Sequence, residues 1–161
     1  MTAGTFSVPL PENADELRVQ EEAYADLADA IRPLIDACVR TRVAPEKAHE
    51  VASRARELTA ELMSTAQDGP LGLEVTSDGR IRDHGNPAVG MRNPIALPLV
   101  FERAEDRRSL RADLELGAAY EGPPGHAHGG VIALLLDQAL GTLPAMIGLP
   151  ALTAYLNLTY K

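Results

Sequence analysis

The strongest constraint on this chain's fold lies in residues 120–146. A loop dense in glycine and proline, YEGPPGHAHGG, runs directly into an apolar stretch, VIALLLDQALGTLPAM. The spacing predicts a helix over about residues 130–143. That helix is apolar nearly all round, so it has to be wrapped by something. Asp137 stands in its middle. An unpaired carboxylate in apolar surroundings is costly, so Asp137 needs either a partner or a water-bearing pocket. Gly129 and Gly130 precede the apolar run. Without Cβ atoms they let backbone approach a ligand closely. A helix N-terminus leaves N–H groups unpaired and favours negative charge.

The rest of the chain divides around that segment. Residues 1–12 read as a loose tail with Pro9 and Pro11. From residue 13 to 43, Leu17, Tyr24, Leu27, Ile31, Leu34, Ile35 and Cys38 recur at helical steps. Pro33 is expected to kink or break that helix, because it lacks an N–H and crowds the preceding turn. Pro45 marks a restart in the first turn of a second helix. Val51, Ala55, Leu58 and Leu62 form its apolar stripe. The two helices are expected to form a hairpin that packs on the main domain or on a partner subunit. A turn cluster at residues 67–70 ends this region, giving boundaries of 1–68 and 69–161. Asp78-Gly79 is a hairpin signal. Residues 83–93 (DHGNPAVGMRN) read as a loop, with His84 in solvent. Residues 94–102, 110–116 and 152–160 read as strands joined in part by a polar turn at 105–108. Leu110, Ala112, Leu114 and Leu116 alternate with charged residues, as in a half-exposed antiparallel strand.

Composition narrows the function classes. The formal charge of −8 opposes non-specific nucleic-acid binding, which needs a basic footprint. No uninterrupted apolar run reaches the ~18 residues of a membrane span, and the first residues carry no secretory signal pattern. A cytoplasmic location with no membrane partner is the expectation. The single cysteine, Cys38, excludes an intrachain disulfide and is expected to be buried and structural. His126 and His128 sit on a Gly-Pro loop without a third ligand at convincing spacing, so no metal is expected. Tyr120, Tyr155 and Tyr160 are expected in core or interface positions.

The segment GPPGHAHGGVIALLLDQALG resembles the signature of the 4-hydroxybenzoyl-CoA thioesterase superfamily, in its phenylacetate-pathway, PaaI-like branch. The matching features are His-Gly-Gly at 128–130, the apolar helix, and the acid Asp137 nine positions after His128. Asn93-Pro94, the loop at 120–125 and the segment LTAYLNLTY after the helix fit the same branch, so the resemblance covers about residues 71–161. It implies an α+β hot-dog fold, an antiparallel sheet around a central helix, here preceded by the helical hairpin. It implies an acyl-CoA thioesterase of fatty acid metabolism that needs no cofactor. By that resemblance Asp137 is the general base or the nucleophile, Gly130 N–H polarises the carbonyl, His128 shapes the loop, and Thr153 helps position water. Gly129, Gly125, His126 and Asn93 would bind substrate. One departure stands out: some relatives carry Asn six positions before the HGG histidine, where this chain has Gly122.

Gly130 and Asp137 share a helix face but lie about 10.5 Å apart along its axis. A two-fold dimer with antiparallel helices would bring one protomer's glycine to the other's acid, so a homodimer or dimer of dimers is expected. A complete hot-dog sheet has about five or six strands and this sequence offers fewer. The 161 residues are therefore expected to hold only the N-terminal part of the domain, without stable activity of their own. Two other readings remain open. One is a non-catalytic acyl-CoA-binding hot-dog domain or inactive fragment. The other is a helical interaction module led by residues 13–63.

Overall fold

The computed structural model describes residues 13–76, 81–97, 99–105, 109–149 and 151–160. The N-terminal tail, the Asp78-Gly79 turn and residues 106–108 of the polar turn lie outside them.

Helix α1 spans Ala14–Arg40. Asn13 caps it, its side-chain oxygen accepting from Asp15 N at 2.9 Å. Asp15 and Glu16 in the first turn and Arg40 in the last complement the helix dipole. The helix runs through Pro33 as one element, contrary to the expected break. The reason is tertiary. Glu21 Oε1 lies 3.2 Å from Arg82 Nε, and the Arg92 guanidinium stacks over Tyr24 at 3.4 Å. Arg32 Nε donates to Ala96 O at 3.0 Å, and Asp36 Oδ1 accepts from Ala118 N at 2.8 Å. The last two anchors flank Pro33, so the single hydrogen bond lost at proline is outweighed by contacts on either side. Leu17 and Ala28 are buried beneath the same face.

Helix α2 spans Pro45–Met63, with Pro45 at its start as expected. None of its residues is fully buried, and Leu58, Leu62 and Met63 are exposed. Both helices form, but α2 does not pack closely on α1, and only α1 docks on the remainder. The last residues of α1, 37–40, are exposed, and Cys38 with them, so the expectation of a buried thiol fails. No described element covers that turn.

The β structure consists of two antiparallel hairpins. Strand β1 (Leu73–Val75) pairs with β2 (Ile81–Asp83) in the register Leu73↔Asp83, Glu74↔Arg82, Val75↔Ile81. Strand β3 (Glu102–Arg103) pairs with β4 (Leu110–Arg111). The class is α+β, but these strands are far shorter than the strands expected over 94–102 and 110–116. Residues 152–160 join no strand ladder among the described residues. Alternation fits a half-buried strand only where a neighbour supplies hydrogen bonds.

A buried ionic knot ties the first hairpin to α1. Glu74 Oε2 lies 2.7 Å from both Arg82 Nη1 and His84 Nε2. His84 is only 1% exposed, which corrects its placement in solvent. The cause is the cross-strand register, which sets Glu74 opposite Arg82 and within reach of His84, a buried charge being tolerable when paired.

Helix α3 spans Gly129–Met146 and none of its residues is fully buried. Leu136, Leu140 and Met146 are 44%, 64% and 45% exposed, so the wrapping its composition demands is not supplied by the described residues. Its mean hydropathy of 1.4 over 18 residues also meets the length and composition of a membrane-crossing helix, a test that core helices pass too. Asp137 and Gln138 interrupt the apolar run within it.

Candidate functional site

The site is built where α3 meets the β2 loop and residues 151–160. Asp137 is half-buried on α3. Thr153 Oγ1 donates to its Oδ1 at 2.6 Å, a short charge-assisted bond across sixteen positions of chain. The second carboxylate oxygen accepts no hydrogen bond among the described residues.

Asp137 and Thr153 share the wall of an open cleft of about 1310 Å³. Asp83, Asn86 and Val89 face them from β2 and its loop, and Leu73 and Met91 add apolar surface. A second recess of about 250 Å³, lined by Leu140 and Tyr155, opens on the same two side chains. The cleft is held by a residue that the sequence reading missed. Asn86 Nδ2 donates to Gln138 Oε1 at 3.0 Å, while Asn86 Oδ1 accepts from Ala88 N at 2.8 Å. Asn86 thus folds its own loop and pins it beside Asp137. Its signal was the Asn-Pro pair within a loop, which favours such side-chain turns.

The walls are electrostatically lopsided. Glu21, Asp83 and Asp137 contribute carboxylates, and Arg82 is the cation among these residues. Arg82 is already engaged by Glu74 and Glu21. Among the described residues, no group of three or more His, Cys, Asp or Glu side chains is placed to hold a metal ion.

The second part of the site is the turn entering α3. His128 caps the helix: its Nδ1 accepts from Gly130 N at 3.0 Å, which requires the neutral ring with its proton on Nε2. The Gly130 N–H expected to polarise a carbonyl is therefore taken up in this structure. The Gly129 N–H meets no acceptor among the described residues. The loop behind it is a tight hairpin. His128 N donates to Tyr120 O at 2.9 Å, and Gly122 N donates to His126 O at 2.8 Å. Gly125 takes a positive φ of 76°, where glycine is strain-free, and its N–H donates to Glu121 Oε1 at 2.7 Å. A Cβ at position 122 would stand 2.8 Å from His128 Cα. The place where some relatives carry Asn is thus closed to any side chain by the hairpin's own backbone.

The remaining expected site residues fall elsewhere. Gly125 and His126 line a separate pocket of about 280 Å³ that Asp137 does not reach. His126 Nδ1 donates to Pro124 O at 3.0 Å, so it serves the loop. Asn93 donates to Gly85 O at 3.0 Å and accepts from Ile95 N at 3.1 Å, organising the loop after β2, and lines neither cleft at Asp137. Tyr120 is half-buried, with its hydroxyl donating to Ile95 O at 2.6 Å. Burial pushes its phenol up, opposed by the Arg32 charge. Tyr155 is 81% exposed and Tyr160 57% exposed, so neither is a core residue.

No protein-family model matches the chain. Its structure is similar to the crystal structure of a thioesterase superfamily protein, with a TM-score of 0.69 and 34% sequence identity over 82% of this chain and 68% of that one. A likeness in sequence and structure at once, over most of both chains, is more than a shared architecture, and the chain belongs to the thioesterase superfamily.

Proposed function

We propose that this protein hydrolyses acyl-CoA thioesters to a carboxylic acid and CoA, on a hot-dog fold of the PaaI-like branch. The observation that carries this reading is the Thr153–Asp137 bond of 2.6 Å at the cleft wall. It fixes one carboxylate oxygen and leaves the other to act on water. In the proposed step that oxygen takes a proton from water as the oxygen of water bonds to the thioester carbon. The carbonyl oxygen gains negative charge and is met by backbone N–H at the start of α3. The tetrahedral species collapses, the C–S bond breaks, and the CoA sulfur leaves with the proton that Asp137 had taken, which restores the carboxylate.

For the oxyanion donor we assign the Gly129 N–H rather than that of Gly130, because His128 already accepts from the latter. His128 acts by holding the turn. The glycine turn opens the helix while Asp137 lies at its middle, about two turns on, so the reading includes a homodimer in which α3 of each protomer lies antiparallel to its mate. The exposed Leu136 and Leu140 surface is consistent with such a covering.

A second reading, acyl-CoA binding without turnover, is favoured by the capped Gly130 N–H, since a filled donor offers nothing to an oxyanion. Free-thiol release from a panel of acyl-CoA thioesters separates the two. Turnover supports the first reading, and saturable binding with no release supports the second.

A further inference from the structure

The last described residues return to the helix they follow. Tyr160 lies on the turn that opens α3, and its hydroxyl donates to Gly129 O at 2.7 Å. The ring covers the same residue closely: a Cβ on Gly129 would stand 3.2 Å from Tyr160 Cζ. Gly129 O belongs to the peptide unit whose N–H is that of Gly130, and this N–H donates to His128 Nδ1 at 3.0 Å. One peptide plane is therefore gripped from both sides, by a phenol on its oxygen and an imidazole on its nitrogen.

We propose that Tyr160 is a positioning residue for the Gly129–Gly130 turn, holding that peptide plane and, through the shared Gly129 Cα, restraining the adjoining His128–Gly129 plane that carries the Gly129 N–H. The catalytic consequence rests on the thioesterase reading; the structural consequence does not. Two adjacent glycines have more backbone freedom than any other pair, and a helix's first turn is where fraying begins. A donor that stabilises a developing oxyanion must be fixed before reaction, since reorganisation at that moment costs rate. Tyr160 supplies the restraint that the glycines lack. A hydrogen bond to a carbonyl also polarises the amide of the same unit, strengthening the bond from Gly130 to His128. Thr153 and Tyr160 then brace the two halves of the site from one segment, the first at Asp137 and the second at the turn.

The test is Tyr160→Phe in the full chain, which deletes only the hydroxyl. The Gly130 amide, followed by NMR without substrate, should move upfield and exchange its proton roughly three- to tenfold faster, the weight of one hydrogen bond. Turnover of an acyl-CoA substrate should fall by roughly the same factor with KM unchanged. Fluorotyrosine at position 160, a stronger donor that keeps the ring, should move the same amide downfield; this arm decides the matter if the phenylalanine variant loses its cooperative melt. An unmoved Gly130 amide in both variants overturns the proposal, as does a rise in KM at constant kcat. An amide that responds as described, in a wild-type protein that hydrolyses no thioester, upholds the positioning role and refutes the thioesterase reading instead.

Discussion

Thr153→Val removes one hydroxyl while nearly preserving side-chain shape, and so isolates the bond that orients Asp137. A hydrogen bond to a charged group contributes about 1.5–3 kcal/mol when shielded. The Thr153–Asp137 contact is short, at 2.6 Å, but Thr153 is exposed and Asp137 only half-buried. Water competes for the carboxylate, so a value below that range, about 1 kcal/mol, is appropriate. That corresponds to about a fivefold loss in kcat. Little change in KM is expected, because Thr153 acts on the carboxylate rather than on the acyl chain. The assay is steady-state thiol release by wild type, Thr153→Val and Thr153→Ser, the last retaining the donor. Valine and serine variants that both match wild type would refute an orienting role for Thr153. A loss in the serine variant with none in the valine variant would mean that the threonine methyl, not the hydroxyl, matters.

Other consequences follow from the same geometry. Glu74→Ala removes the carboxylate that buried His84 and Arg82 share, leaving Arg82 to Glu21, and should cost about 3 kcal/mol or abolish the cooperative transition; a urea midpoint equal to wild type would contradict this. Asp36 is held below its ordinary value of 3.8, first by the Arg40 side chain and then by the Ala118 N–H. A depressed carboxylate contributes stability above 3.8 that is lost as pH falls through the lower folded value. The melting temperature of Asp36→Asn should therefore lie below wild type at neutral pH, with the gap closing in strong acid; a gap independent of pH would contradict it. Gly122→Ala sets a Cβ 2.8 Å from His128 Cα, an overpacking expected to cost about 1–3 kcal/mol and to disturb the Gly130 amide. Unchanged stability and an unchanged spectrum would refute it. Cys38, being exposed, should react with a thiol reagent in the native protein, whereas protection until unfolding would place it in an interface.

Much of this arrangement was legible in the chain because the relevant signals are local. The periodic stripe from Leu17 to Cys38, the Pro45 restart and the glycine-led apolar run mark three helices within a few residues of where they lie. The pairing of β1 with β2 followed from a turn signal between two short runs. What misled was set by distant partners. Pro33 reads as a break until Arg32 and Asp36 are seen anchored to residues 96 and 118. His84 reads as solvent-exposed until Glu74 is placed across the hairpin from Arg82. Cys38 shares the stripe of α1 but lies on a turn that nothing described covers. At the site, the motif named Asp137, and the resemblance to the family named Thr153; the structure joins the two. Asn86 reads as an ordinary loop residue and Tyr160 as a core or interface residue, since their roles depend on Gln138 and Gly129, reached from 52 and 31 positions away.

The central claim is that Asp137 activates water against a thioester in the cleft it shares with Thr153. Its most direct test compares wild type with Asp137→Asn, an isosteric change that removes the base, in thiol release at saturating acyl-CoA. The expected outcome is a fall of about a hundredfold or more in kcat with KM largely retained. Hydrolysis that proceeds equally well in the asparagine variant would contradict it and leave Asp137 as a structural acid tied to Thr153.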